Sequence, residues 1–124
     1  ALAVELNKQA GKTGKIQDVL VQVKLSGEAA KHGIPENDLP RLLDAIMQMN
    51  NLRLKGLMTM PPFFANPEET RPYFRKLREI AEGLVQKGFP VKELSMGMSN
   101  DFEVAIEEGA TLVRVGTAIF GRRD

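Results

Sequence analysis

Asp18-Val19-Leu20-Val21-Gln22-Val23-Lys24-Leu25 is the segment on which the fold turns. Val19, Val21, Val23 and Leu25 fall on one face of an extended chain, and Leu20, Gln22 and Lys24 on the other. After a polar stretch comes the capping cluster Pro35-Glu36-Asn37-Asp38. Leu39, Leu42, Leu43, Ile46 and Met49 then recur at helical spacing, and Asn50-Asn51 closes the helix. Strand, polar turn and amphipathic helix together make one phrase.

The phrase returns along the chain. A second strand, Leu54 to Met58, lies between Asn51 and Pro61-Pro62. Asn66-Pro67-Glu68-Glu69 then opens a helix, with Asn as cap and Pro at the first helical position. Phe74, Leu77, Ile80, Ala81, Leu84 and Val85 form its buried face, and it ends near Gly88. Pro72 in its early turns predicts a kink or a later start. The third strand is Glu93 to Met96, followed by a short helix from Ser99-Asn100-Asp101 with Glu103. Its apolar face is Phe102, Ala105 and Ile106, and Gly109 stops it. The fourth strand, Thr111 to Val115, runs on to Gly116-Thr117-Ala118. Ala1 to Ala10 reads as the tail of a helix and Gly11 to Lys15 as a loop.

Strands alternating with helices predict a parallel sheet joined by right-handed crossovers. Four strands make an open doubly wound sheet or half of an eight-stranded (β/α)8 TIM barrel. No Gly-rich dinucleotide fingerprint follows the first strand. The amino end opens inside a helix, and a full barrel needs about 250 residues. The expectation is an α/β fold, a single (β/α)4 half-barrel over residues 1–124.

Composition narrows the function. With 17 Lys plus Arg against 16 Asp plus Glu, the net charge of +1 gives no long-range attraction to nucleic acid or anionic membrane. Zero Cys excludes disulfides, thiolate zinc sites and a cysteine nucleophile. One His assembles neither a His-rich metal site nor a histidine acid/base pair, so no metal is expected. No apolar run nears the roughly 20 residues of a membrane span, and no signal segment opens the chain. The expected setting is cytoplasmic, with neither nucleic acid nor membrane as partner.

Parallel α/β folds work at the carboxyl ends of their strands. Four loops qualify: Ser26 to Gly33, Thr59 to Ala65, Gly97 to Asp101 and Gly116 to Gly121. Backbone N–H groups and the Ser99 hydroxyl, where the third strand meets a helix, suit a phosphate. Gly116 and Thr117 offer a second donor set. In the blander account Ser99 only caps its helix and Gly116 only turns the chain. Arg114, flanked by Val113 and Val115, points into the barrel. There it makes an internal ion pair, or holds an anion or a heterocyclic nitrogen. Lys24 neutralises a phosphate, pairs with a carboxylate, forms an imine, or reaches solvent at the strand end. Lys31 and His32 lie in the first loop, where His32 reads as a hydrogen-bonding residue. The Lys-Arg-Glu mixture from Arg71 to Lys87 reads as a solvated helix face, and Met47, Met49, Met58, Met60, Met96 and Met98 mostly as core fillers.

Three segments carry a resemblance. Leu57-Met58-Thr59-Met60-Pro61-Pro62, Ser95-Met96-Gly97-Met98-Ser99-Asn100-Asp101-Phe102 and Arg114-Val115-Gly116-Thr117-Ala118-Ile119-Phe120-Gly121 closely resemble the YggS-like pyridoxal phosphate homeostasis proteins. Ser26-Gly27-Glu28, Lys31-His32-Gly33 and Arg71-Pro72-Tyr73-Phe74 agree. The resemblance implies a pyridoxal 5'-phosphate barrel similar to the amino-terminal domain of alanine racemase. It implies a cofactor carrier or homeostasis factor with little or no turnover, and so no catalytic residue. Ser99, Gly116 and Thr117 match phosphate-binding positions, which phosphate or sulfate also suits. Arg114 matches an arginine facing the pyridine nitrogen, and Lys31 a lysine near the cofactor mouth.

The resemblance covers only the second half of the family's barrel, strands five to eight. The family's Schiff-base lysine ends its first strand and has no counterpart here, so covalent attachment by that arrangement is closed to this chain alone. Lys24 stands where the family more often has Asn. The resulting expectation is a truncated or engineered half-barrel, closed by homodimerisation or by a complementary half. Lys24 of one copy would then take the missing lysine's place beside Arg114 of the other. Two alternatives stand beside this one. The first is a structural half-barrel with no functional ligand. The second is a pyridoxal phosphate-dependent amino-acid racemase, which needs an acid/base group beyond Tyr73, the one Tyr of the chain.

Overall fold

The computed structural model describes residues 2–25 and 33–114. Helix α1 (Leu2–Lys12) leads to strand β1 (Gln17–Lys24), then β2 (Ile34–Pro35) and α2 (Leu39–Met47). Strand β3 (Leu52–Met58) is followed by α3 (Arg71–Gln86), β4 (Glu93–Met98), α4 (Phe102–Glu107) and β5 (Leu112–Arg114). All pairings are parallel, in the order β2-β1-β3-β4-β5.

The fold is therefore α/β with a five-stranded parallel sheet, one strand more than expected. The extra strand is Ile34–Pro35, whose proline the sequence pattern places in a helix-capping cluster. Ile34 pairs with Val23 and Pro35 with Lys24, on the edge of β1 away from β3. A single 3-10 turn, Glu36–Asp38, then starts α2 without a side-chain cap. Pro72 settles as a later start: a 3-10 turn, Pro67–Thr70, absorbs the cap, and Pro72 sits in the first turn of α3, where no N–H is needed. The Asn66 side chain accepts from the Glu68 N–H at 3.1 Å, as a cap should.

One face of the sheet carries the core. Val21 and Val23 of β1, Leu54 and Leu57 of β3, and Leu94 and Met96 of β4 join one buried cluster. Leu39, Leu43 and Ile46 of α2 and Phe74, Leu77, Ala81 and Leu84 of α3 pack onto it. Val104 and Ala105 of α4 complete it, with Ala3 of α1 against its edge. Phe74, Leu77, Leu43 and Leu57 have no solvent exposure, each contributing roughly 1.5–3 kcal/mol of burial. Two helical faces differ from expectation. Val85 is 51% exposed, and α4 turns Val104 inward and leaves Ile106 54% exposed. At six residues, α4 is too short for the 3.6-residue period to fix its face from sequence.

The opposite face behaves differently. Leu20, Gln22 and Lys24 alternate with the buried valines and are only half-buried, as is Met58. Leu112 and Arg114 extend this face onto β5, where both are exposed.

Candidate functional site

The carboxyl ends of β3, β4 and β5 surround a pocket of ≈ 80 Å³. Two loops make its walls. The Thr59 N–H donates to the Ser95 carbonyl at 3.1 Å, and its hydroxyl to the Val23 carbonyl at 3.2 Å. These bonds fix the start of the loop after β3. Asn100 Nδ2 donates to the Phe64 carbonyl at 3.0 Å, tying the loop after β4 to the same wall. Phe64 in turn stacks on Tyr73 of α3, their ring centroids 5.9 Å apart.

The loop after β4 is shaped by two residues. Gly97 has φ 104°, and an added Cβ would stand 2.6 Å from Cβ of Ala105. Only glycine lets α4 close this tightly on the strand end. The buried Asp101 carboxylate accepts from the Met98 N–H at 2.7 Å, so the loop folds back on its own strand. Asp101 occupies the N-cap position, which removes the reading of Ser99 as the cap of α4. Ser99 lies half-buried in the turn between β4 and that position.

Arg114 ends β5 in register with Met98 and alternates with Val113, which packs against the core, so it stands on the opposite face of the sheet. Its guanidinium donates to Sδ of Met60 and Sδ of Met58, each at 3.7 Å. The pocket thus presents a fixed cation over an apolar floor with Asn100 and Ser95 at its margin. Of the expected site residues, Ser99 and Arg114 stand at this end of the sheet. Lys24 ends β1, and β3 and β4 separate it from β5. At about 4.8 Å per strand that is roughly 14 Å, so Lys24 and Arg114 of one chain do not meet. Gly116, Thr117, Lys31 and His32 lie outside the described residues.

Sequence reasoning missed the methionines and a carboxylate. Met60 is 47% exposed, Met98 51% and Met47 49%, so only Met96, at 2%, is a fully buried core filler. Arg75 and Lys76 of the α3 polar face are exposed as expected, yet Arg71, Arg75 and Arg78 also do more than meet solvent. They converge on the buried Glu108 at 2.7, 3.2 and 3.1 Å. Arg71 also meets Glu68 at 2.8 Å and Glu107 at 2.6 Å. Hydrogen bonds from Arg75 and Arg71 hold the Glu108 carboxyl down at about 2. Glu68 above all, with Glu107 and Glu108, raises Arg71 further above its already high range. The cluster clamps α4, and with it the Ser99–Asp101 loop, onto α3. Its signal was present in sequence as arginines spaced four and three residues apart on one helix.

No described helix is long and apolar enough to cross a membrane.

Comparison with known proteins places this geometry. A pyridoxal phosphate homeostasis protein of Aquifex aeolicus is 50% identical over 123 residues, covering 98% of this chain and 54% of that protein. Among solved structures, PipY of Synechococcus elongatus without PLP superposes with a TM-score of 0.88 at 38% identity, covering 97% of this chain and 57% of that one. The same protein with PLP bound gives 0.86 at 37% identity, covering 97% and 56%. The chain thus spans about half the length of the relatives it matches. The model of the family described as alanine racemase, N-terminal domain, matches residues 1–124, and the chain belongs to that family.

Proposed function

We propose that this chain is a pyridoxal 5'-phosphate-binding protein of the homeostasis type, without catalytic turnover, and that its site lies at the carboxyl ends of β3, β4 and β5. The observation that carries this reading is Arg114, a permanent cation aimed over Met58 and Met60 at the mouth of the pocket. The names of the relatives and the PLP-bound PipY structure support it. Ser99, Gly116 and Thr117 would hold the phosphate. Bound pyridoxal phosphate supplies an electron sink for amine chemistry. Arg114, were it to face the ring nitrogen as the resemblance implies, would keep that nitrogen unprotonated and weaken the sink, which would favour carriage over turnover. Tyr73 is stacked on Phe64 and does not line the pocket, so a racemase reading lacks its second acid/base group there.

A volume of ≈ 80 Å³ is well below the roughly 300 Å³ at which small-molecule pockets begin. We therefore read the site as half of a cofactor cradle and the fold as a half-barrel spanning residues 1–124. It is completed by a second copy or a complementary half, in a cytoplasmic setting. Closure by a second copy would pair β5 of one chain with β1 of the other. β2 already covers Val23 and Lys24, so the free part of that edge runs from Gln17 to Gln22. Pairing along Lys24 requires Ile34–Pro35 to move aside. Pro35 has no N–H to offer a further strand.

The small pocket and the separation of Lys24 from Arg114 also favour the reading of a half-barrel without a ligand. Equilibrium dialysis against pyridoxal phosphate separates the two. Arg114→Leu is expected to weaken binding roughly 10- to 100-fold, the worth of one hydrogen bond to a charged group. Equal affinity in the variant would remove Arg114 from the site. A visible absorbance band present with wild type and absent in Lys24→Ala is expected only if a second copy brings Lys24 to the cofactor. Light scattering that shows a stable monomer with cofactor bound would end the closure by a second copy.

A further inference from the structure

Four of the six methionines line one small pocket, and two of them hold its cation. Thioether sulfur is a weak acceptor, so neither Met58 nor Met60 competes strongly for Arg114. Their exposure differs from that of core methionines. Met60 is about half exposed while Met96, two strand positions before Met98, is 2% exposed. The arrangement places an accessible thioether within 3.7 Å of the guanidinium on which the pocket depends.

We propose that Met60 is an oxidation site through which a hydroperoxide disarms Arg114. The sulfur of Met60 attacks one oxygen of hydrogen peroxide; an S–O bond forms and the O–O bond breaks. Sulfur is oxidised by two electrons and the peroxide is reduced. The proton on the transferred oxygen passes to the leaving hydroxide, which departs as water. The product sulfoxide carries a strong acceptor oxygen one bond length from the sulfur that Arg114 already touches. The guanidinium then hydrogen-bonds to this oxygen at close range and its donors turn from the pocket. Met58, half-buried on the other side of the guanidinium, reacts more slowly. The effect on cofactor binding rests on the pyridoxal phosphate reading above; the capture of Arg114 does not.

Peroxide treatment of the full chain, read by peptide mass and by the Arg114 Nε–H resonance, tests the inference. Met60→Leu is the main variant, since it conserves volume at a half-exposed position. Met47→Leu, at a similarly exposed methionine away from the pocket, is the control. Met60 is expected to oxidise well ahead of Met96, and the Arg114 signal to move in wild type and in Met47→Leu but not in Met60→Leu. Affinity for pyridoxal phosphate is expected to fall about tenfold on oxidation of wild type, the loss of one charge-assisted bond, whereas peroxide is expected to leave the Met60→Leu variant at its own untreated affinity, whatever that value is. An Arg114 signal unmoved when Met60 is fully oxidised, or Met96 reacting as fast as Met60, overturns the inference. If untreated wild type fails to bind pyridoxal phosphate, the cofactor reading falls, and the Arg114 signal still decides the oxidation site.

Discussion

Gly56→Ala is expected to strip the protein of a large part of its folding stability. A Cβ at Gly56 would stand 1.9 Å from the Glu93 carbonyl oxygen and 2.6 Å from its carbon. These are backbone atoms of the neighbouring strand, and no side-chain rotation relieves the overlap. β3 must separate from β4, and their ladder is short, with Gly56 opposite Glu93, Leu57 opposite Leu94 and Met58 opposite Ser95. Moving it also withdraws Leu57 and Leu94 from the core. The loss is about 3–5 kcal/mol, a large share of the 5–15 kcal/mol that holds an ordinary domain together. Urea unfolding followed by circular dichroism measures it. Gly83 of α3 is the contrast, because a Cβ there meets nothing within 4 Å. Gly83→Ala is expected to stabilise by up to about 1 kcal/mol. Similar effects at the two glycines would contradict the close approach of β3 and β4.

Glu108→Gln is the second large effect. The carboxylate is buried and faces Arg71, Arg75 and Arg78. Removing its charge leaves three guanidinium groups crowded together, with Glu68 and Glu107 reaching only Arg71. Breaking a buried pair from one side costs about 3–5 kcal/mol, and the partly exposed arginines reduce this to about 2–3 kcal/mol. The melting temperature is expected to fall by roughly 10 °C. The pH dependence has a definite sign. The folded carboxyl is held at about 2 against 4.5 for an ordinary glutamate, so its stabilisation is complete above pH 4.5 and is lost as pH falls towards 2. Wild type should therefore lose stability across that window, and Glu108→Gln should lose less across it. Parallel acid limbs in the two proteins would remove Glu108 from the clamp.

The sheet was legible because its strands alternate. Val19, Val21 and Val23 share a face only in an extended chain, and helices of nine and 16 residues follow two of the strands with strong apolar stripes. β2 was invisible, since two residues carry no period and Ile34–Pro35 is strand only by pairing with Val23 and Lys24. The face of α4 was misjudged for a related reason: one and a half turns constrain phase weakly, and the packing of Ala105 against Gly97 decides it. The face on which Arg114 stands was readable from its alternation with Val113. Its methionine contacts were not, because they join β5 to β3 across 54 and 56 residues. Glu108 was hidden by its company, as charged residues on a helix usually face water and only the tertiary fold brings three arginines onto one acid.

The most direct test of the site is equilibrium dialysis of the wild-type chain against pyridoxal phosphate, with stoichiometry read beside a light-scattering mass. Saturable binding of one cofactor per site, on a particle of two chains, is the predicted result. No saturable binding at cofactor concentrations well above those of the protein would contradict it, and would leave the pocket beside Arg114 a structural feature of the parallel sheet.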